Sequence, residues 1–441
     1  MKELVKRKID HYFLISLVIG IILRIISLLS IYRIPDVYLY FDGAIDLINF
    51  DYNSFRPPGF SIIIIPFIIL TGNGPLSAKL ASFSLSIILI VYSYFIFTKA
   101  SLKLFEKNKT NEIKAKYIGL IVSILISLNI YFIFNSGKGL REELISVLII
   151  MIFYYTIVKE DMNLKTNISL TLSVSFLTLT HLTVGIFISF GIILFNLVSK
   201  LKYFKIKFKS SIKTIIIFFS FLISFVFWGV FSVYKFGEFF YNFHIQNEWF
   251  KQWFDFDLSS VENLINIFKN AIIFGIPLEI IFLIILIGFV FMILFFYILF
   301  RNIKSKQIFY IFIVLGINFA YLSIFLASRG RFFIPRSPGT EPSPRLIIYF
   351  FPFIFYIGAY PLGNIIVESI INNINSKKIN YLMIFYFITY SVHGLQFFLI
   401  NNSLLQFFLI SWSIIIFLIN DLPLLIFLIK YRNSEYYLIN I

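Results

Sequence analysis

The chain has 441 residues, of which 59% are apolar and only 14% charged, and its mean hydropathy is +0.90. A soluble domain is nearer half apolar and a quarter charged, so the composition excludes a soluble globule and describes an all-α integral membrane protein. The net charge of +16 sits in short segments between apolar runs, which argues against a nucleic-acid partner. Cysteine is absent, excluding disulfide and thiol chemistry, and four scattered histidines show no zinc-ligand spacing.

About twenty apolar residues carry a helix across the hydrocarbon layer. On that rule the sequence predicts about twelve spans, at 12–32, 76–98, 117–135, 143–158, 168–180, 182–198, 213–234, 277–300, 307–327, 346–366, 380–400 and 404–429. The first follows MKELVKRKID, is too long for a signal-peptide core and lacks a small-residue cleavage site, so it is read as an anchor. The segment 58–71 is apolar but short for a crossing. With the amino terminus cytoplasmic, inner segments hold 25 Lys and Arg against 12 outside, as the positive-inside bias requires. Arginine runs the other way. Seven of eleven arginines fall on the outer side: Arg33, Arg56, Arg141, Arg329, Arg331, Arg336 and Arg345. Orientation needs only charge, whereas a planar fork of donors suits phosphate and carboxylate oxygens. The outer arginines therefore point to anion binding.

Three outer segments are long, 33–57, 235–276 and 328–345, and function belongs where such irregular polar backbone gathers. In the first, PDVYLYFDGAIDLI (Pro35 to Ile48) reads as a helix. Asp36, Tyr40, Ala44 and Leu47 share roughly 80° of its arc, which predicts that Asp36 faces a cavity; Asp42 and Asp46 fall on a solvated flank. In SFRPPGF (Ser54 to Phe60), Pro57 and Pro58 stop the helix and fix the angle at which the chain returns. Arg24, inside the first span, costs on the order of 2.5–3.5 kcal/mol to insert, and Asp36 and Glu143 are the two candidates to offset it. In the second outer loop, Glu142 and Glu143 at a helix start either complement its dipole or line a site with Arg141. His181 stands where two short spans meet, as an interfacial histidine or a phosphate contact. The aromatics around Trp249 and Trp253 read as an interfacial belt, with sugar stacking as the second reading. Last, SRGRFFIPRSPGTEPSPR (Ser328 to Arg345) sets four arginines against one Glu341, and its prolines lower the cost of ordering it. Arg345 is nearest the membrane.

The order and sidedness of these motifs resemble the GT-C superfamily of glycosyltransferases, in its protein mannosyltransferase and aminoarabinose transferase branch. The residues that carry the resemblance are Asp36-x3-Tyr40-x3-Ala44-x2-Leu47 after the first span, then Arg56-Pro57-Pro58-Gly59-Phe60. Arg24, Gly139-Leu140-Arg141-Glu142-Glu143-Leu144, and Pro344-Arg345-Leu346 before a span containing Pro352 add to it. The likeness covers mainly residues 20–200 and the stretch around 345. His181 departs from it, since related enzymes have arginine hereabouts.

The resemblance implies juxtamembrane helices in the first outer loop. It also implies a catalytic module over 1–200, with further membrane helices over 201–441 and no separate soluble domain. A sugar would pass from a polyprenyl-phosphate donor to an acceptor hydroxyl of a protein, lipid or glycan, with inversion, on the non-cytoplasmic face of the cell membrane. Asp36 would be the general base, with Glu143 and Glu142 lining the site. Arg345, Arg141, Arg24, Arg56, Arg336 and His181 would hold the donor phosphate, supported by Tyr40, Pro57 and Pro58. No cofactor or metal site is predicted from the residues; some superfamily members use a divalent metal, and that option stays open. Two other classes compete. A polysaccharide polymerase or ligase would lean on arginine and histidine without an acid after the first span. A lipid-linked glycan transporter or flippase would put ionisable groups mid-membrane in broken helices, whereas Glu279, Glu368 and Asp421 fall near span ends.

Overall fold

Polar caps and helix breakers written into the sequence set the helix boundaries. The computed structural model describes residues 2–29, 35–105, 109–159, 163–199, 211–239, 295–299, 305–314 and 348–371, with a few isolated positions besides. The helices are α1 (Lys2–Leu29), α2 (Pro35–Ile48), α3 (Gly59–Thr71), α4 (Gly74–Leu104), α5 (Lys109–Leu128), α6 (Ile130–Lys138) and α7 (Glu142–Phe153). After them come α8 (Leu164–Thr180), α9 (Leu182–Ser199), α10 (Ser211–Phe236) and α11 (Phe351–Ile371), and a π-helical stretch, Tyr154–Val158, prolongs α7. The described residues contain no strand.

Asparagine starts three of these helices. The Asn73 Oδ1 accepts from the Leu76 amide at 3.1 Å, with Pro75 just inside α4. Asn163 accepts from the Thr166 amide at 2.8 Å to open α8, and Asn129 from the Phe132 amide at 3.3 Å to open α6. In each case the side-chain oxygen takes an amide that the first turn would leave without a partner.

Among the described residues, four helices are long and apolar enough to cross a membrane: Lys6–Leu29, Gly74–Leu104, Leu182–Ser199 and Ile212–Phe236. The stretches Thr110–Leu128 and Phe132–Lys138 add a fifth if a pair bent by 52° is one span. These match the spans predicted from 12, 76, 182, 213 and 117, except that the last is broken. The shorter α7, α8 and α11 overlap the predicted spans at 143–158, 168–180 and 346–366. Those at 380–400 and 404–429, and most of 277–300 and 307–327, lie outside the described residues, as does most of the outer segments 235–276 and 328–345.

The centre of the bundle is α4, packed on α1, α5, α6 and α7; α11 lies against α5, and α8 joins α7 to α9 and α10. Buried serines (Ser16, Ser82, Ser86, Ser93, Ser127) recur in α1, α4 and α5. Lipid provides no hydrophobic drive between helices, so close approach over small side chains takes its place. Ile22, Ile26 and Leu29 on α1, and Ile223, Phe227 and Val230 on α10, face outward, where acyl chains would lie. Composition and helices together describe a multi-pass membrane protein.

The α5–α6 break has a visible cause. The Arg24 guanidinium donates to the carbonyls of Ile126 and Ser127, each at 3.0 Å, and so caps the last turn of α5 with a cation. The chain then turns at Gly139, whose φ is +73°; a side chain there would also press a Cβ to 2.9 Å from the Lys79 amide nitrogen. This close approach holds the α6–α7 turn against the start of α4, the end of the bundle where α2 and α3 pack. At the other end, Asp10 accepts from Lys116 at 2.9 Å and Tyr94 at 2.7 Å, and Lys6 pairs with Glu112 at 2.6 Å.

Candidate active site

The site forms at the α2 end, from α2, the 49–58 loop, the α6–α7 turn and the end of α8. At its middle is Tyr40, only 1% exposed. Its ring meets Phe60 edge-on at 5.1 Å, and its carbonyl accepts from the Ser61 hydroxyl at 2.9 Å, which locks α2 to α3. Two guanidinium groups flank that ring, Arg56 at 5.0 Å and Arg141 at 5.7 Å from its centroid. The electron-rich ring face attracts both, so one phenol gathers cations from two separate segments. The Tyr40 hydroxyl is buried and has no hydrogen-bond partner.

Arg141 is held from the other side. Its Nη1 donates to the Thr180 carbonyl at 3.0 Å, while its Nε is buried and unmatched. Thr180 ends α8 and also abuts the Pro57-Pro58-Gly59 step: a Cβ on Gly59 would lie 2.7 Å from the Thr180 amide nitrogen. Thus one short stretch of backbone fixes both Arg141 and the start of α3. His181 follows, in an extended conformation, its amide bonded to the Leu177 carbonyl and its own carbonyl to the Gly185 amide, both at 2.9 Å. It shares the junction that carries Arg141.

Glu142 and Glu143 occupy the first turn of α7, as a dipole argument allows, but they are buried, at 3% and 0% exposure. Capping a helix does not require burial. The Glu143 Oε2 accepts from the Ser82 hydroxyl at 3.2 Å, and that same single proton also serves the Leu140 carbonyl. The Oε1 has no partner. A buried carboxylate so weakly satisfied costs roughly 1–3 kcal/mol or more, and such costs concentrate at functional sites.

Arg24 stands behind this carboxylate. It is fully buried and donates from Nε to Ser86 at 2.6 Å, and from Nη1 to the Gly20 carbonyl at 3.1 Å, besides the two α5 carbonyls. Of the two acids expected to offset it, Glu143 acts on it electrostatically. Ser82 and Ser86, one turn apart on α4, touch Glu143 and Arg24 respectively.

The structure thus brings Tyr40, Arg56 and Arg141 together, with the Pro57-Pro58 step and the His181 junction beside them, while Glu142 and Glu143 follow Arg141 in the first turn of α7. Arg24 lies a layer deeper, with its hydrogen bonds spent on the protein. Asp36 sits in the first turn of α2, and its side chain lies outside the described structure, as do Arg336 and Arg345 entirely. Asp42 is exposed and Asp46 accepts from the Asn53 amide at 3.0 Å, as expected of a solvated flank. Among the described residues, no three acidic or histidine side chains gather as metal ligands.

Three neighbours escaped the sequence reading. Ser82 looks like any small residue of a span. Tyr52 looks like an ordinary loop aromatic. Lys138 is 1% exposed, with its ammonium 3.3 Å from the Phe134 ring centroid; its signal was the charge-dense run Lys138 to Glu143.

The helical architecture has a counterpart among solved structures. Among solved structures, the crystal structure of the aminoarabinose transferase ArnT from Cupriavidus metallidurans, in the apo state, is similar over 88% of this chain and 70% of that one, with a TM-score of 0.52. Sequence identity is 14%, so the likeness is one of fold. No protein-family model and no curated protein matches the chain.

Proposed function

We propose that the protein is a membrane glycosyltransferase that moves a sugar from a polyprenyl-phosphate donor to an acceptor hydroxyl, with inversion, on the non-cytoplasmic face of a bundle of about twelve spans. The observation that carries this reading is the pair of guanidinium groups, Arg56 and Arg141, over the Tyr40 ring, whose hydroxyl is buried without a partner, with the under-satisfied Glu143 carboxylate in the adjoining turn. Two guanidinium groups and a phenol proton match the oxygens of a phosphate monoester or diester. The GT-C-like fold and the surrounding apolar helices support a donor whose isoprenoid tail stays in the membrane.

In this mechanism the acceptor oxygen attacks the anomeric carbon from the face opposite the phosphate. Asp36 takes the hydroxyl proton as the new carbon–oxygen bond forms. The bond from the anomeric carbon to the phosphate oxygen breaks, and its electron pair leaves with the lipid phosphate. Arg56 and Arg141 stabilise the charge that builds there, joined by Arg345 and Arg336 from the third outer loop. Glu143 orients the acceptor or the arginines. A divalent ion would be held by Asp36 and one of the two glutamates.

The bent α5–α6 pair is the one observation that favours a transporter, since broken helices build transport sites. The cation at that break is Arg24, whose four hydrogen bonds all end on protein oxygens, which makes the break a structural joint. The deciding experiment incubates purified protein, in washed vesicles, with a panel of polyprenyl-phosphate sugars and follows release of the bare lipid phosphate. Asp36→Asn should insert normally and lose about a hundredfold or more in turnover. Unchanged turnover in that variant would refute the assignment.

A further inference from the structure

The Arg56 guanidinium lies on a loop that has no helix of its own to aim it. Something must fix the loop, because an arginine side chain carries about 2 kcal/mol of rotamer entropy before its backbone is counted. Tyr52 supplies the fixture. Its hydroxyl donates to the Arg56 carbonyl at 2.6 Å, and its ring is buried, at 6% exposure, in a small aromatic cluster separate from the main core. Trp228 meets that ring edge-on at 6.2 Å, Phe231 lies at 5.9 Å, and Leu182 completes the cluster. The phenol is thus anchored by α9 and α10 and reaches across to the backbone of Arg56, one of the two arginines that lie over the Tyr40 ring. Burial raises its pKa, so it stays a hydrogen-bond donor throughout the physiological range.

On the other side of Arg56 the chain is equally constrained, because Pro57, Pro58 and Gly59 run directly into the Thr180 backbone. The Arg56 peptide is therefore held at both flanks. Two hydrogen bonds of that peptide can each be removed by deleting a single atom, the Arg56 carbonyl's from the Tyr52 hydroxyl and the Arg56 amide's to the Ser54 hydroxyl at 3.2 Å, and only the first comes from the buried aromatic cluster.

We infer that Tyr52 is a positioning residue for anion recognition: through the Arg56 carbonyl it aims the Arg56 guanidinium at the phosphate of the lipid-linked donor. This rests on the reading of the site as a phosphate cradle. It predicts a specific coupling. Tyr52→Phe, which keeps the ring and its cluster, should weaken binding of polyprenyl phosphate and raise the donor KM by roughly three- to tenfold, the range one hydrogen bond spans, with little change in kcat. In an Arg56→Ala background the same substitution should have almost no effect, because no guanidinium remains to be aimed.

The test measures binding of polyprenyl phosphate alone to the purified wild type, both single variants and the double variant, together with donor KM and kcat. Equal penalties for Tyr52→Phe with and without Arg56, or a loss confined to kcat, would overturn the inference. So would binding undiminished in Tyr52→Phe while the wild type binds. A wild-type protein that binds no polyprenyl phosphate at all would remove the phosphate-cradle reading and this inference together. A melting temperature recorded for each variant separates aiming from unfolding: the coupling must persist among variants that melt alike.

Discussion

The two ends of the bundle handle charge in opposite ways. Where α1 begins, Asp10, Lys116 and Tyr94 complete one another, and Lys6 meets Glu112. Nearby, Lys213 donates to the carbonyls of Tyr155 and Thr156 at the π-helical stretch. Atoms without a hydrogen-bond partner at that end, such as the hydroxyls of Thr98 and Ser101, are neutral. At the α2 end, Arg141 and Glu143, two residues apart, each keep a buried atom of an ionisable group unmatched, and the Tyr40 hydroxyl is unmatched too. A fold needs its charges matched; a ligand needs some of them left available. That contrast separates architecture from chemistry in this chain.

The sharpest way to test the division is at its border. Arg24 lies near the unmatched carboxylate but behaves as architecture. Arg24→Leu should strip the cap from α5 and leave buried carbonyls without donors, costing roughly 3 kcal/mol or more, read as a large drop in the melting temperature in detergent. Retained stability would mean that other contacts hold the α5–α6 break. Glu143→Gln should do the reverse. It preserves shape and can still accept from Ser82, so melting should barely move, while transfer falls by about a hundredfold. If Glu143→Gln melts as early as Arg24→Leu, the two residues form one structural unit and the division fails.

Tyr40→Phe sharpens the contrast further, because its two readouts should move apart. Removing a buried hydroxyl that has no partner relieves a desolvation penalty, so stability should rise by about 1 kcal/mol. Turnover should fall by about tenfold as the phosphate loses a donor. A decrease in both would show that the hydroxyl has a structural partner in the folded protein.

Much of this end of the molecule was legible in the sequence because its signals are local. Pro57 and Pro58 stop a helix, Asn73 with Pro75 starts one, and the family resemblance assigned Tyr40, Arg56 and Arg141 to one site. The burial of Glu142 and Glu143 was not legible, since a helix start accounts for acids there without any site. The α5–α6 bend was hidden for a different reason. Its run contains no proline and marks the break only with Asn129, and the capping cation, Arg24, arrives from about a hundred residues upstream. Tyr52 and Ser82 matter only through three-dimensional contacts, Tyr52 with Trp228 on α10 and Ser82 with Glu143 on α7, and local patterning carries no trace of either.

The mildest effects belong to paired charges that water reaches. Asp10→Asn, at the architectural end, breaks a half-exposed pair and should cost about 0.5–1 kcal/mol with transfer unchanged. The Asp51–Lys235 pair, 2.5 Å apart, ties the 49–58 loop to the end of α10 and is more exposed still. Hydrogen bonds from Lys235 and Asn53 to Asp51 hold that carboxyl below the usual carboxylate range. The folded state therefore prefers the ionised form, and the stability this contributes is present above the unfolded-state pKa of about 4. It disappears as pH falls through the lower folded value. Melting followed from neutral pH into acid should accordingly show a small loss below about pH 4 that Asp51→Asn reduces. Donor KM should rise over the same interval only if loosening this tether lets the loop, and Arg56 with it, drift from Tyr40. An unchanged KM there would leave Tyr52 and the Pro57-Pro58 step as sufficient anchors for the arginine.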